Sequence, residues 1–279
     1  MDAGRWQWDE TLYAGSAAYY RVGRLPYPAA VADALARAVG LDGTQRLLDV
    51  GCGPGSLTLV LASRVAAAVG VDADREMIVA AAQEAAHAGI GNVRWVHLRA
   101  EELPAGLGRF HLVTFAQSFH WMDRKTVAAA AHGMLTADGA CVHVHATTHR
   151  GDQSSDPLVH PRPPYAEIGE LVSDYLGPVR RAGQGELPDG TPADEAEIFR
   201  QAGFAGPTRL EPETAHVVTR SEDEIVASTL SLSSAAPHLF GERLGAFEGD
   251  LRRLLRRVSP AGRFAERTRD AALDIWRPT

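Results

Sequence analysis

The sequence predicts an α/β fold in which a mostly parallel sheet is covered by helices on both faces, a doubly wound architecture. Between positions 28 and 146, short apolar runs alternate with longer stretches that have helical periodicity. This alternation is typical of parallel strands joined by right-handed helical crossovers. The first apolar run also ends abruptly in a glycine-rich loop at residues 49–55, a strand-to-helix turn suited to ligand binding.

The individual elements follow from the same patterns. Residues 28–41 begin with a proline, which suits a first helical turn, and continue with apolar residues at helical spacing. The short apolar runs predict strands at residues 46–50, 67–72, 93–98, 110–116 and 140–146. Helices are predicted between them at residues 56–65, 75–88 and 125–135. Together these elements form consecutive βαβ units.

The pattern changes after about residue 147. Residues 150–192 are rich in Pro, Gly, Asp and Ser, with one expected helix at residues 166–176. The remaining expected elements are a helix at 195–202, a strand at 209–219, a mainly helical stretch at 225–258 and a final strand at 272–276. The second half is therefore expected to complete the sheet and to carry a mainly helical cap.

Composition narrows the class of protein. The hydrophobic share of 45% and the charged share of 23% are ordinary for a globular protein. A net charge of −7 argues against nonspecific binding to a phosphate backbone. No apolar run approaches the ~18 residues of a membrane span, and the first residues lack the basic start and apolar core of a secretory signal. We therefore expect a cytoplasmic protein that binds neither nucleic acid nor membrane.

The glycine loop and two acids predict a site for a nucleoside-containing cofactor. Gly51 and Gly53 can adopt positive φ and let the backbone approach a ligand closely. Asp72 ends the next predicted strand about 20 residues later, the distance at which an acid accepts the ribose hydroxyls in doubly wound folds. The alternative is that Asp49 and Asp72 are strand-end acids that cap helices.

The spacing of the loop favours one cofactor over another. A dinucleotide fingerprint is G-x-G-x-x-G, with a pyrophosphate on the helix N-terminus. Here the pattern is G-x-G-x-G, and Asp49 precedes it. An acid beside a pyrophosphate is unfavourable, whereas an acid beside an ammonium group is favourable. The charge pattern therefore favours S-adenosylmethionine, which has an amino-acid tail and a sulfonium but no phosphate.

Five segments in register resemble one family. Residues 47–56 resemble motif I of the class I S-adenosylmethionine-dependent methyltransferases, and residues 69–72 resemble motif II. Similar matches to the adenine loop, the fourth strand and the turn into the fifth strand lie at residues 99–104, 110–117 and 133–139. The resemblance implies a Rossmann-like, seven-stranded sheet, and a small-molecule methyltransferase that releases S-adenosyl-L-homocysteine as product.

The resemblance also implies a domain organisation. Residues 1–40 would form an N-terminal helical lid, and residues 41–149 the core that binds S-adenosylmethionine. Residues 150–279 would complete the sheet and carry an inserted helical substrate cap.

Site residues are carried over from the resemblance position by position. Gly51 and Gly53 would approach the methionine portion, Asp72 would hold the ribose, and Ala100 with Glu101 would flank the adenine. The full predicted cofactor-binding set is Tyr20, Arg24, Asp49, Gly51, Gly53, Asp72, Ala73, Ala100, Glu101 and Gln117.

The N-terminal segment is rich in aromatic residues. Residues 13–28 resemble the entry segment that folds over the cofactor in related methyltransferases. By that resemblance, Arg24 would pair with the cofactor carboxylate, and Tyr19 or Tyr20 would close the site. The alternative is a helix that docks its aromatic face on the core.

The residues after the fourth predicted strand are candidates for substrate chemistry. His120 and Trp121 should lie at the carboxyl edge of the sheet, where ligands bind in such folds. His120 has a suitable pKa for a general base, and Trp121 could pack on the adenine or on an aromatic substrate. The alternative is that both fill the gap beneath the next helix, with Asp123 as its N-cap.

Three further histidines lie on or just after the fifth predicted strand. His143 and His145 are two residues apart and share one face, and His149 lies just beyond. We expect no metal, because no acid or cysteine accompanies them at ligand spacing. His143 is predicted to be a buried structural residue, and His145 and His149 are candidates for lining the acceptor pocket.

The functional prediction is methyl transfer from S-adenosylmethionine to a small organic acceptor, with a bacterial secondary metabolite as one option. The alternatives are a methyltransferase that acts on RNA or protein, and a protein that binds S-adenosylmethionine without transferring its methyl group. The expected partner is a small-molecule substrate, and the expected state is a monomer or homodimer.

Overall fold

The computed structural model describes residues 9–152, 154, 156–182, 185–186 and 194–279. Its strands are β1 Arg46–Val50, β2 Ala67–Asp72, β3 Val93–His97, β4 Phe110–Ala116, β5 Leu135–His145, β6 Arg181–Ala182, β7 Gly185–Glu186, β8 Phe204–Leu210, β9 Val217–Ser221, β10 Arg263–Arg267 and β11 Ala272–Pro278. Its α-helices are α1 Ala17–Gly23, α2 Ala29–Val39, α3 Ser56–Leu61, α4 Arg75–His87, α5 Arg124–Met134, α6 Tyr165–Leu176, α7 Glu195–Gln201, α8 Glu222–Leu230, α9 Pro237–Phe240 and α10 Leu244–Val258.

Seven of these strands form one sheet, in the order β3-β2-β1-β4-β5-β11-β8. The five strands from β3 to β5 run parallel to one another, and β11 is antiparallel to both of its neighbours. The order reverses between β1 and β4, which opens a crevice at the carboxyl ends of the central strands. The predicted doubly wound, mostly parallel sheet is confirmed.

Helices cover both faces of the sheet. On one face, α5 and α7 pack against the central strands through a cluster that contains Phe115, Phe119 and Phe199. On the other face, α2 and α3 pack through Leu35 and Leu57, among other apolar side chains. The helix α2 falls inside the predicted lid, yet it is part of the core, because its apolar side is buried on the sheet.

A third apolar cluster lies away from the sheet and forms the cap. We use this name for α6, α8, α9, α10, β9 and β10, whose side chains pack on one another around Phe247 and Phe264. The first helix belongs to this unit as well, because a Cβ on Gly23 of α1 would lie 2.3 Å from the backbone of Ala227 in α8. The predicted helical cap therefore has a core of its own, which α1 joins.

One expectation for the second half is corrected, and one strand there was missed. The strand predicted at residues 209–219 is wrong, because β8 ends at Leu210 in the large sheet and β9 begins at Val217 in a separate pair with β10. The strand β10 was not predicted. The predicted helix at 166–176 is confirmed as α6. Parts of the 150–192 segment lie outside the described residues, as do residues 1–8 of the predicted lid.

None of the helices in the described part of the chain is long and apolar enough to cross a membrane.

Candidate active site

The glycine loop after β1 is anchored to the end of β2. The backbone N–H groups of Gly51 and Cys52 both donate to the carbonyl oxygen of Val71, at 2.8 and 3.0 Å. Gly51 has φ of +68°, and a Cβ there would lie 2.5 Å from the Cβ of Ser118. Gly51 is therefore required by packing against the segment after β4. Gly53 has φ of +55° with open space where its Cβ would be, so it leaves room for a ligand.

Asp72 lies beside this loop and is held by the backbone. Its Oδ2 accepts a hydrogen bond from the N–H of Gly53, and its Oδ1 accepts one from the N–H of Asp74, both at 2.8 Å. Burial raises the pKa of Asp72 to about 6, and these two hydrogen bonds oppose the rise. The helix-cap role belongs instead to Asp74, which accepts from the first turn of α4. Each Asp72 oxygen keeps a free lone pair for a ligand hydroxyl.

A cleft of about 740 Å³ opens over the carboxyl ends of β1, β2 and β4. This volume includes the open solvent at the mouth of the cleft. The cleft is lined by Glu10, Leu12, Tyr13, Tyr20, Gly51, Gly53, Asp72, Ala73, Asp74, Met77, Leu98, Ala100, Glu101, Ala116, Gln117, Ser118, Trp121 and Met122.

Most of the predicted cofactor residues meet at this cleft. Eight line it, namely Tyr20, Gly51, Gly53, Asp72, Ala73, Ala100, Glu101 and Gln117. Glu101 Oε1 accepts from the N–H of Asp123 at 2.9 Å, which orients its carboxylate. Gln117 has φ of +56°, and its side chain donates to the carbonyl of Val144 at 3.3 Å. The turn after β4 is thereby held against β5.

The structure shows an aromatic wall that sequence reasoning found only in part. Trp121 lines the cleft as predicted, and Tyr13 meets its ring edge-on, with centroids 5.8 Å apart. Burial raises the pKa of the Tyr13 hydroxyl, so Tyr13 stays neutral. Other lining residues that the sequence did not indicate are Glu10, Leu12, Asp74, Met77, Leu98 and Met122. In the sequence, the aromatic N-terminal segment at residues 13–28 was the feature that indicated such a wall.

Two residues predicted to bind the cofactor, Asp49 and Arg24, do not line the cleft. Asp49 is fully buried beneath the loop, where Thr58 and Thr114 donate to its two carboxylate oxygens at 2.5 and 2.8 Å. Arg24 stacks on Tyr20, and its guanidinium donates to Ser231 and, through a longer bond, to Thr148. Both side chains therefore have partners within the protein, and neither lines the cleft.

The predicted acceptor-pocket histidines also lie outside the cleft. His145 Nε2 is 3.0 Å from Asp274 Oδ2 on β11. His149 lies beneath α8, with its carbonyl accepting from Ser228. Burial, reinforced by nearby arginines such as Arg24, lowers the pKa of His149 to about 3. Both positions follow from the end of β5 turning under the cap and away from the glycine loop.

His120, the predicted base, lies behind Trp121, with ring centroids 4.9 Å apart, and does not line the cleft. Burial lowers its pKa to about 4, with a nearby Glu195 opposing the shift. Asp123 accepts from the N–H of Thr126 at the start of α5, as the alternative interpretation of this segment expects. The geometry therefore favours a packing position for His120.

Glu195, at the start of α7, joins the strand histidines. Its Oε2 lies 3.0 Å from Nδ1 of His143. Burial raises the pKa of Glu195, but the hydrogen bond from His143 and the nearby histidines outweigh it and leave the pKa below its ordinary value. The acid that the sequence did not show beside these histidines thus comes from a position about 50 residues further along the chain.

The fold and the cleft define a class of protein, an α/β protein with a doubly wound sheet and a cleft at the switch point of that sheet. The comparisons with known proteins name a family that part of the chain resembles. Residues 47–139, about one third of the chain, match the family model described as a methyltransferase domain. This stretch of the chain is therefore similar to a methyltransferase domain.

Curated relatives match over short stretches. The uncharacterised methyltransferase YcgJ of Bacillus subtilis is 35% identical over 96 residues, which cover 34% of this chain and 38% of that protein. A trans-aconitate 2-methyltransferase of Mycobacterium sp. (strain KMS) is 47% identical over 64 residues, 22% of this chain and 25% of that protein. The matched stretch thus spans less than half the length of either relative.

A solved structure matches over most of the chain. The [4+2]-cyclase SpnF aligns with 96% of this chain and 92% of its own, with a TM-score of 0.53 and 18% identity. At this identity the likeness shows the fold alone.

Proposed function

We propose that this protein is a methyltransferase, which takes a methyl group from S-adenosylmethionine and transfers it to a small organic acceptor in the cleft. The observation that carries the proposal is the arrangement around Asp72, whose carboxylate faces the cleft beside Gly53. A carboxylate with free lone pairs suits two ribose hydroxyls, and Glu101 and Ala100 extend the same wall toward the adenine.

The charge of the cleft suits this donor. Among the described residues, its lining contains four acids, Glu10, Asp72, Asp74 and Glu101, and no lysine or arginine. A sulfonium cation is attracted to such a lining, whereas a pyrophosphate would be repelled. The aromatic wall of Tyr13 and Trp121 adds a surface on which a sulfonium or a flat ring can pack.

Transfer is an in-line displacement that depends on alignment. The acceptor's lone pair forms the new bond to the methyl carbon, the carbon–sulfur bond breaks, and its electron pair returns to sulfur. S-adenosylhomocysteine then leaves as a neutral thioether. An acceptor that carries a proton on the reacting atom must lose it to solvent or to a base.

The residues that line the cleft narrow the class of acceptor. No histidine, lysine or cysteine is among the described residues of the cleft, and Asp72, whose pKa burial raises to about 6, is assigned to the ribose. We therefore propose an acceptor that is nucleophilic without a protein base, such as a neutral amine or an activated carbon, and that is not a polyanion. The name of the Mycobacterium relative specifies trans-aconitate, an anion that these acids would repel.

Isothermal titration tests the donor. S-adenosylmethionine and S-adenosylhomocysteine should bind at micromolar concentrations, and Asp72→Asn should weaken both at least about tenfold, since it removes a charged acceptor. Asp138→Asn, which changes an exposed acid of β5 outside the lining of the cleft, is the matched control and should bind as the unmodified chain does. Absence of binding at these concentrations would refute the proposal.

Turnover of a labelled methyl group tests the acceptor. A panel should contain uncharged amines, activated carbon acids, simple alcohols and trans-aconitate. We expect transfer to the first two classes. Preferred transfer to trans-aconitate would contradict the proposed acceptor class, and cofactor binding without transfer to any member would favour a protein that binds the cofactor without using it.

A further inference from the structure

We infer that His143, His145 and Glu195 form a binding site for a divalent first-row transition-metal ion at the carboxyl end of β5. Each of the three residues offers one ligand atom, and these atoms all lie within 4.8 Å of one another. Two imidazoles and one carboxylate form a donor set that Zn²⁺ and its neighbours bind in proteins.

The distances are close to those that an ion requires. Nδ1 of His143 and Oε2 of Glu195 are 3.0 Å apart. Zinc bonds to nitrogen and oxygen are about 2.0–2.2 Å long, so two ligands of a tetrahedral ion are separated by about 3.3 Å. An ion can therefore take the place of the proton shared by His143 and Glu195 with little movement of these two atoms, and the ligand atom of His145, which lies within 4.8 Å of both, has to approach by up to about 1.5 Å.

His145 is oriented as a metal ligand is. Its Nε2 lies 3.0 Å from Oδ2 of Asp274, and Asp274 accepts in turn from Arg209 at 3.0 and 3.2 Å. A carboxylate paired with arginine only accepts, so the proton of His145 resides on Nε2 and its Nδ1 carries a lone pair. Metal-bound histidines have this same arrangement, with the second nitrogen held by a carboxylate.

His143 supplies an independent observation. It is 4% exposed and is enclosed by the rings of Phe115, Phe119 and Phe199 at centroid distances of 4.8–5.5 Å. Its Nε2 has no hydrogen-bond partner among the described residues. The ring is therefore held by packing, with Nδ1 directed at Glu195 and at the proposed ion.

The site is separate from the cofactor cleft. His120 lies within electrostatic range of all three residues and contacts Trp121, which lines the cleft. Three protein ligands leave a fourth tetrahedral position for water or for a further ligand. An ion here would join the start of α7 to β5 directly behind the wall of the cleft.

Metal titration of the untagged full chain, after treatment with a chelator, tests this inference. Zn²⁺ followed by calorimetry should bind one ion per chain, and Co²⁺ should develop the visible absorption of a nitrogen- and oxygen-coordinated ion. Glu195→Gln and His145→Ala should each weaken Zn²⁺ binding at least tenfold, and Asp274→Asn by about 10–100-fold. His87→Ala, which removes an exposed histidine from α4, is the matched control and should not change the affinity.

Two results would overturn the inference: no stoichiometric binding by the unmodified chain, or unchanged affinity in both Glu195→Gln and His145→Ala. Circular dichroism shows whether each variant is folded, and His145→Ala removes a partly exposed side chain, so it is the safer variant for folding. S-adenosylhomocysteine affinity, measured on the same samples, reports on the cofactor cleft separately.

Discussion

The cofactor cleft and the histidine cluster of His143, His145 and Glu195 lie at the same edge of one sheet but are built in different ways. The glycine loop and Asp72 lie within about 25 residues of one another and are held mainly by backbone hydrogen bonds. The cluster joins β5 to the start of α7 and is held by side chains, including Asp274 and Arg209 from other strands.

The comparison teaches that a site built from residues close along the chain and a site built from distant residues are disrupted by different kinds of substitution. A backbone-built site is sensitive to residues that add a Cβ, because the loop conformation is the site. A side-chain-built site is sensitive to the loss of one charge or one ring nitrogen, and the backbone around it can stay intact.

Gly51 and Gly53 provide the largest expected contrast. Gly51→Ala adds a Cβ at positive φ and against Ser118, and should lower the free energy of unfolding by about 2–5 kcal/mol. Gly53→Ala meets no neighbour and should cost only about 1–2 kcal/mol, although it narrows the cleft. Urea unfolding measures both. Equal destabilisation would show that packing against Ser118 does not hold the loop.

A crossed pair of variants separates the two regions. Asp72→Asn should weaken S-adenosylhomocysteine at least about tenfold and leave Zn²⁺ affinity unchanged. Glu195→Gln should weaken Zn²⁺ binding at least tenfold and leave the affinity for S-adenosylhomocysteine unchanged. Calorimetry with each ligand on each variant gives four affinities. If either variant lowers both affinities tenfold while remaining folded, the two regions are coupled and the comparison fails.

The pH dependence of cofactor binding reports on Asp72. Burial raises its pKa to about 6, and the ionised carboxylate is the form that accepts two hydroxyls. Affinity for S-adenosylhomocysteine should therefore be constant above about pH 7 and fall as the pH decreases through 6, by about tenfold at pH 5. Asp72→Asn should abolish the dependence. A profile that is the same in both proteins would exclude Asp72 as its source.

His120 is expected to have the smallest effect. Its ring lies behind Trp121, so His120→Asn should keep methyl transfer within about fivefold and leave cofactor affinity unchanged. General bases contribute about 10²–10⁴-fold to a rate. If His120→Asn instead lowered the rate of methyl transfer a hundredfold or more with unchanged cofactor binding, His120 would be the general base that the sequence indicated.

Sequence reasoning succeeded where structure depends on neighbours along the chain. The parallel strands, the glycine loop and Asp72 were all found, because hydrophobic periodicity and loop chemistry are local signals. Asp49 shows the limit. Its charge suggested an ammonium partner, but strand β1 directs it into the core, where Thr58 and Thr114 take both oxygens. A charge pattern does not show which way a side chain points.

The mainly helical second half of the chain was harder to predict from the sequence, for the same reason. The junction from β8 to β9 was predicted as one strand, because periodicity does not reveal that a chain leaves one sheet and enters another. Arg24 was assigned to the cofactor, but the packing of α1 on α8 brings it to Ser231. Such contacts depend on how the cap folds back over the core.

By itself, the sequence determined the sheet class, the glycine loop and the acid after β2, because each depends on residues that are close along the chain. Only the tertiary structure decided that Tyr13 and Trp121 form one wall of the cleft, that His120 lies behind it, and that Glu195 meets His143. The contacts of Tyr13 with Trp121 and of Glu195 with His143 join residues separated by about 110 and about 50 positions. Their physical cause is the packing of α7 and the N-terminal segment against the sheet edge, which no local pattern encodes.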